Sequence, residues 1–407
     1  MERFKTVQRY SKSLRLNRLK WRHWLLITLL LIVTLFRTIP GWGYFYTLYL
    51  YPIIGSILSP ISGWFSFAIG DIFIACSITW CIIYPIWKRK KAALGRVVEY
   101  LLWVYVWFYL AWGLNYSQPN IYYRIGMIPA KVDSVKFKAF AYQYADSLNY
   151  YSEEQLREER RVKSILSSEE RRVKSEESNT LKYEKLKKET SEAILQEYKQ
   201  LGSNEKTVKS VESVGALGTL GINAPFNQHP HAKTMVFSRL SSMAGVTGSM
   251  GPFFCEFTLN GDIRPHDYPA TYAHEFAHFL GVANEGEANF YSYIVCTSSS
   301  DRAVKFSGYY HIFFHVLNNV FDILGEKEGE KYLQHIRPEI IQLARSDRKY
   351  WLDKRCKALD AAQDFIFDLY LRGNHVAEGR KSYSGVIALI LAWEEYKKNE
   401  GVSPVIS

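Results

Sequence analysis

Apolar stretches near the N-terminus constrain this chain more than any other feature, because about 20 consecutive apolar residues are long enough to cross a bilayer. Residues 24–36 (WLLITLLLIVTLF) contain nothing more polar than threonine. His23 and Arg37 can snorkel at the two ends, which makes 24–39 a usable first span. A basic region before a short apolar core also suits a cleaved signal peptide. The RTIPGWG that follows offers no small-x-small cleavage site, so an uncleaved anchor is the better reading. Residues 67–87, ending in DIFIACSITWCIIYPIW, read as a second span, and 97–114 (VVEYLLWVYVWFYLAWGL) as a third. Between the first two, residues 41–65 are aromatic and apolar but interrupted by Pro52, Pro60 and several glycines. That composition suits an interfacial or re-entrant segment better than a crossing.

Charge orients these segments. The chain carries a net charge of +11, and eight Lys or Arg fall in its first 22 residues against Glu2 alone. Lys88, Arg89, Lys90 and Lys91 follow the second span. The positive-inside rule places residues 1–23 and the 88–96 loop in the cytoplasm. Three crossings then put residues 115–407 outside, whereas a fourth through 41–65 would return them to the cytoplasm. Because much of the basic charge flanks spans, it argues for a lipid bilayer as partner and not for nucleic acid. The five cysteines form no CxxC pair, so no disulfide scaffold is expected; one bridge among Cys255, Cys296 and Cys356 stays open. Nothing in the sequence sets an oligomeric state.

The remaining two-thirds reads as mainly α, with a small sheet. Residues 150–200 form a charged helical segment in which EERRVKS occurs at 158–164 and again at 169–175. An offset of 11 is close to three helical turns, so both copies show one face, most simply a solvated one. Residues 202–251 are rich in Gly, Ser and Thr and read as loop or short strand. PFFCEFTL at 252–259 has strand composition, with a turn at 260–262. Apolar residues then recur at helical spacing in 303–324, 329–346, 355–372 and 383–399.

One motif carries chemistry. His274-Glu275-Phe276-Ala277-His278 is HExxH, opened by Pro269 and closed by Gly281 in a left-handed cap. Spacing of four sets both imidazoles on one helix face, where they can bind one zinc ion per chain. Glu275 stands beside the place a metal-activated water would occupy and can serve as general base, then acid. The third ligand is expected to be Glu285, with Glu287 as the alternative. Glu285 opens E-G-E-A-N, with Asn289 four residues on, on the same face and able to support a ligand. Glu287 competes, yet Asn284 and Glu287 also read as an N-cap and its capping-box partner. Tyr309, Tyr310 and His311 are candidate oxyanion donors. His311 and His315 read as core or cleft histidines, His229 and His231 as surface residues, and His266 as an outer support for the metal. An edge strand containing Phe253, Phe254, Glu256 and Phe257 is the candidate for pairing with an extended substrate.

Residues 271–296 resemble the active-site helices of zincin metallopeptidases of the gluzincin kind, and are similar to repressor-cleaving bacterial zincins with HExxH followed by ExxAN. The layout also resembles an uncharacterised bacterial family of membrane-anchored zincin-like proteins. In that family three spans precede a WGLNY-like junction, here Trp112 to Tyr116, and SGY follows the site, here Ser307 to Tyr309. The seven-residue step from His278 to Glu285 is shorter than the usual gluzincin gap. The resemblance implies N-terminal helical membrane segments followed by an α+β zincin-like domain with C-terminal helices. It implies a zinc-dependent peptidase of the bacterial cytoplasmic membrane, its catalytic domain outside, acting on a peptide or protein. The rival expectation is an inactive receptor or scaffold that kept the zinc fold. An intact Glu275 argues against it, since a structural site needs no such carboxylate.

Overall fold

A computed structural model describes residues 20–130, 133–165, 187–198, 232–359 and 385–399, with single residues at 185 and 361. His229, His231, the second EERRVKS copy and most of 355–384 lie outside the described residues. Among the described residues, four helices are long and apolar enough to cross a membrane: α1 (Trp21–Thr38), α2 (Trp42–Gly63), α3 (Ile69–Lys88) and α4 (Lys91–Ala111). The prolines and glycines of 41–65 therefore do not break that segment. It runs as α-helix, one π turn at Tyr46–Leu50, and α-helix again, with Pro52 in the first turn after the π segment, where a missing N–H is tolerated.

Side chains fix how these helices run. The Arg22 guanidinium pairs with Glu99 at 3.0 Å. Arg37 reaches Tyr105 at 3.0 Å and lies 4.7 Å from the Tyr109 ring centroid. Thus α1 and α4 run in the same direction. α3 runs against α4, joined by Ser77 to Tyr100 at 2.7 Å and Arg96 to Tyr84 at 2.8 Å. The basic residues Arg22, Lys88 and Lys91 consequently share one end of the bundle. Thr38, Ile69 and Ala111 share the other, which carries the domain.

Beyond the bundle come α5 (Ile121–Ile125) and the long α6 (Ser134–Ile165). A three-stranded sheet follows, in the order β1 (Lys233–Thr234), β3 (Glu256–Leu259), β2 (Gly248–Gly251), with α7 (Ser238–Met243) between β1 and β2. β1 is parallel to β3 and β2 antiparallel, pairing Gly248 with Leu259 and Gly251 with Glu256. The rest is helical: α8 (Tyr268–Phe279), α9 (Glu285–Ser298), α10 (Arg302–His311), α11 (Phe313–Leu324), α12 (Glu326–His335), α13 (Pro338–Lys354) and α14 (Val386–Asn399). The fold is mainly helical with a small mixed sheet.

Two expectations need correction. The strand at 252–259 is only its second half, because Cys255 adopts φ +49 and turns Phe253 and Phe254 out of line. The helical run at 329–346 breaks before Pro338, whose ring holds Arg337 extended. All five cysteines are free, so no bridge joins Cys255, Cys296 and Cys356. One apolar core runs through bundle and domain alike, from Val33, Tyr51 and Trp112 to Phe257, Phe276 and Phe290. The boundary expected at residue 115 therefore does not separate two cores.

Candidate metal centre

Helix α8 is buried almost throughout, as its filler residues dictate. Tyr272, Ala273, Phe276, Ala277 and Phe279 pack inward on the sheet and neighbouring helices. Its C-terminus forms a Schellman turn: Val282 N–H donates to the Ala277 carbonyl at 3.0 Å and Gly281 N–H to His278 at 3.0 Å. Gly281 takes φ +94, which a side chain would resist. This turn has a chemical consequence. It brings the Val282 carbonyl to 2.6 Å from His278 Nδ1. A carbonyl there demands a proton on Nδ1, so a neutral His278 presents its Nε2 lone pair.

The same turn sends α9 back across α8. Asn284 caps α9, its side chain accepting from Glu287 N–H at 3.0 Å, and Glu285 becomes the first helical residue. Ala288 is fully buried and Ser292 donates to the Ala270 carbonyl at 2.7 Å, which holds the two helices close. Glu285 thereby meets both imidazoles. His274 Nε2 and His278 Nε2 are 3.1 Å apart, and Glu285 Oε2 lies 3.2 Å from the first and 3.4 Å from the second. A tetrahedral zinc with ligands at roughly 2.0–2.1 Å has ligand–ligand edges of about 3.3–3.4 Å. The three atoms therefore stand close to one face of such a tetrahedron. A carboxylate oxygen and the His278 lone pair would crowd one point, so a positive charge, either a proton or a metal ion, is required between them.

The electrostatics agree with that demand. Burial alone would raise the Glu285 carboxyl, but the charges and hydrogen bonds of His278 and His274 outweigh it and hold it well below the usual carboxylate range. Burial would lower His278, yet Glu285 pushes it up to about 9. Glu275 sits beside the cluster, buried, with its carboxyl raised by desolvation against the opposing pull of His274 and His278. Its carboxylate lies on β2. A Cβ at Gly248 would fall 2.4 Å from Glu275 Oε1, so only glycine fits there.

Glu287 is committed elsewhere. Its carboxylate binds the Arg124 guanidinium at 2.6 Å and the Ile121 N–H at 2.9 Å, all buried. It ties α5 to α9, and of its expected capping box only the Asn284 half forms. The three oxyanion candidates diverge because successive helical residues point about 100° apart. Tyr309 packs between Tyr151 and Tyr293, and Tyr310 donates to Asp347. His311 alone lies beside the cluster, its ring centroid 6.0 Å from that of His274. Asn289 accordingly pairs with His311, at 2.9 Å, and not with a candidate ligand as expected. Burial, His274 and His315 push His311 down to about 3, so it stays neutral. His266 is held by Asp347 at 2.9 Å. The expected substrate strand is also displaced: β3 is hydrogen-bonded on both sides, and β2 is the edge strand that packs on α8. Phe253 and Phe254 instead contact Phe73 of α3.

Sequence reasoning missed what the bundle contributes. Tyr51 of α2 donates to the Phe279 carbonyl at 2.6 Å, and Trp112 Nε1 to the His278 carbonyl at 2.9 Å. Gln118 donates to the Gly281 carbonyl at 2.6 Å. Three side chains from residues 51–118 thus donate to carbonyls at and just beyond the end of α8. No curated protein and no solved structure matches the chain. The family described as "Protein of unknown function (DUF3810)" matches residues 46–391, and the chain belongs to that family.

Proposed function

We propose that this protein is a membrane-anchored zinc-dependent metallopeptidase of a bacterial cytoplasmic membrane, with its catalytic domain on the side away from the basic N-terminus. The observation that carries the reading is the convergence of His274, His278 and Glu285 at 3.1–3.4 Å with a buried Glu275 alongside. His274, His278 and Glu285 would hold the metal. A zinc ion there supplies Lewis acidity toward a peptide carbonyl and toward water. Glu275 takes a proton from the attacking water and returns it to the departing amine, a role its raised affinity for protons suits. A neutral His311 already donates its one N–H, on Nε2, to Asn289 Oδ1, so it would have to leave Asn289 to meet charge developing on the carbonyl oxygen. Among the described residues β2 is an edge strand, and an extended peptide would pair along its outer side.

The test is hydrolysis of a peptide library by the full chain in detergent, with Glu275→Gln as control. Turnover should depend on added zinc and fall by at least about 100-fold in the variant, while zinc stays bound. A wild type that binds zinc but cleaves nothing would favour a receptor or scaffold built on the same centre. A wild type that binds no zinc would end both readings.

A further inference from the structure

We propose that α2, although long and apolar enough to cross the membrane, lies in its interface, and that its outer stripe and the loop at Phe237 seat the metal-bearing domain on lipid. The end of α4 and the domain together hold α2 along its length. Near its start, Gly43 packs so closely on Ser117 that a Cβ would fall 2.2 Å from the Ser117 carbonyl oxygen. In its first half, Tyr46 donates to the Leu110 carbonyl at 2.9 Å and Thr47 to Asn115 at 2.9 Å. In the middle, Tyr51 reaches Phe279 beneath the HExxH helix. At its end, the Ser62 carbonyl accepts from Lys233 Nζ at 2.6 Å, and Lys233 pairs with Glu256. A crossing helix would carry one end about 30 Å from the domain. Both ends of α2 instead remain at the end of the bundle that bears Ile69 and Ala111.

The opposite face of α2 is apolar and open. Phe45, Tyr49, Ile53, Ile57 and Ile61 recur every four residues, 40–58% exposed. No charged residue occurs between Arg37 and Asp71. Trp64, at the end of α2, is 81% exposed. The domain continues this surface. Val236, Phe237 and Leu240 are exposed, and Val236 N–H donates to Asp71 at 2.8 Å, which sets that loop beside the start of α3. An uncharged apolar stripe joined to spanning helices, rimmed by Trp and Tyr, fits the acyl–headgroup boundary of a bilayer. The bundle agrees: Arg22 pairs with Glu99, so the start of α1 and the start of α4 share a side. With α1 and α3 crossing, that shared side leaves no crossing for α2.

The experiment is nitroxide labelling of the full chain in lipid nanodiscs, with Cys76, Cys81 and Cys356 replaced and the buried Cys255 and Cys296 kept. Labels at positions 45, 49, 53, 57 and 61 should report one shallow depth, about 5–10 Å below the headgroups, by oxygen against nickel-chelate relaxation. Labels at 237 and 240 should match them, and one at exposed Leu352 should report water. A profile with 45 and 61 near opposite surfaces, separated by roughly 24 Å along the axis, would overturn the proposal. Loss of access to both relaxants along the stripe would also overturn it, marking protein, such as a second copy, as the occupant. An independent measurement is impermeant maleimide labelling of Lys20→Cys and Lys327→Cys in sealed vesicles. The two should lie on opposite sides; labelling on one side would mean four crossings.

Discussion

Among the described residues, two groups of His and carboxylate side chains have ligand atoms within reach of one metal ion: His274, His278 and Glu285, and His266, Asp267 and Asp347. They differ in what already balances their charge. In the second group Asp347 is paired with Arg264 through one oxygen, and its other oxygen meets His266 at 2.9 Å and accepts from Tyr310. That carboxylate has a permanent cation and two hydrogen-bonding partners before any metal is considered. In the first group the described ion pairs of Glu285 are to the two imidazoles alone, and one of those has its proton drawn to Val282. Proximity of ligand types is common to both. A demand for added positive charge belongs to one.

The sharpest way to break this comparison is metal content of the full chain by mass spectrometry. Wild type should hold one zinc. His274→Ala and His278→Ala should hold none, while Asp347→Asn should keep the full equivalent. Equal loss in all three would mean that Asp347 also takes part.

The two glutamates offer the next contrast. Glu285→Gln should weaken zinc by more than the 10- to 100-fold that losing an outer partner costs, about 100-fold or beyond, with little loss of fold. Glu287→Gln should retain zinc but lose roughly 3–5 kcal/mol of stability, because it strands Arg124 in a buried site. Zinc titration and chemical unfolding of both variants separate the roles, and a stable, zinc-free Glu287→Gln would reverse them.

Gly248→Ala probes the approach of β2 to Glu275. The added Cβ meets that carboxylate, so about 1–3 kcal/mol of stability and most activity should be lost with zinc retained. Full activity in this variant would show that β2 can withdraw from Glu275.

The smallest effect concerns the second group and pH. Burial, opposed by His266, holds the Asp267 carboxyl up at about 6. The folded chain then keeps that proton where the unfolded chain, near 4, has lost it. Stability from this group is full below about pH 4 and is lost as pH rises through 6. Asp267→Asn should flatten the fall in Tm between those values, and an unchanged slope would remove Asp267 as its source.

The candidate ligands His274 and His278 were legible in the sequence because a helix imposes its own geometry: a spacing of four puts them on one face wherever that helix lies. The Gly281 cap was legible for the same local reason, and so were the apolar helices, since bilayer thickness sets their length. The choice between Glu285 and Glu287 was only partly legible. Both begin α9, two residues and about 200° apart, and the one that lost was claimed by Arg124, 163 residues away. The substrate strand was misread because an isolated strand does not reveal whether its two edges are taken. Composition alone also left 41–65 open, as helix length and hydrophobicity are the same for a helix that crosses a bilayer and one that lies on it. Local spacing thus determined which side chains could bind a metal and which segments could enter lipid. Contacts between residues far apart in the chain, at Tyr51, Trp112, Arg124 and Lys233, decided which of them meet and which face of the molecule lies open.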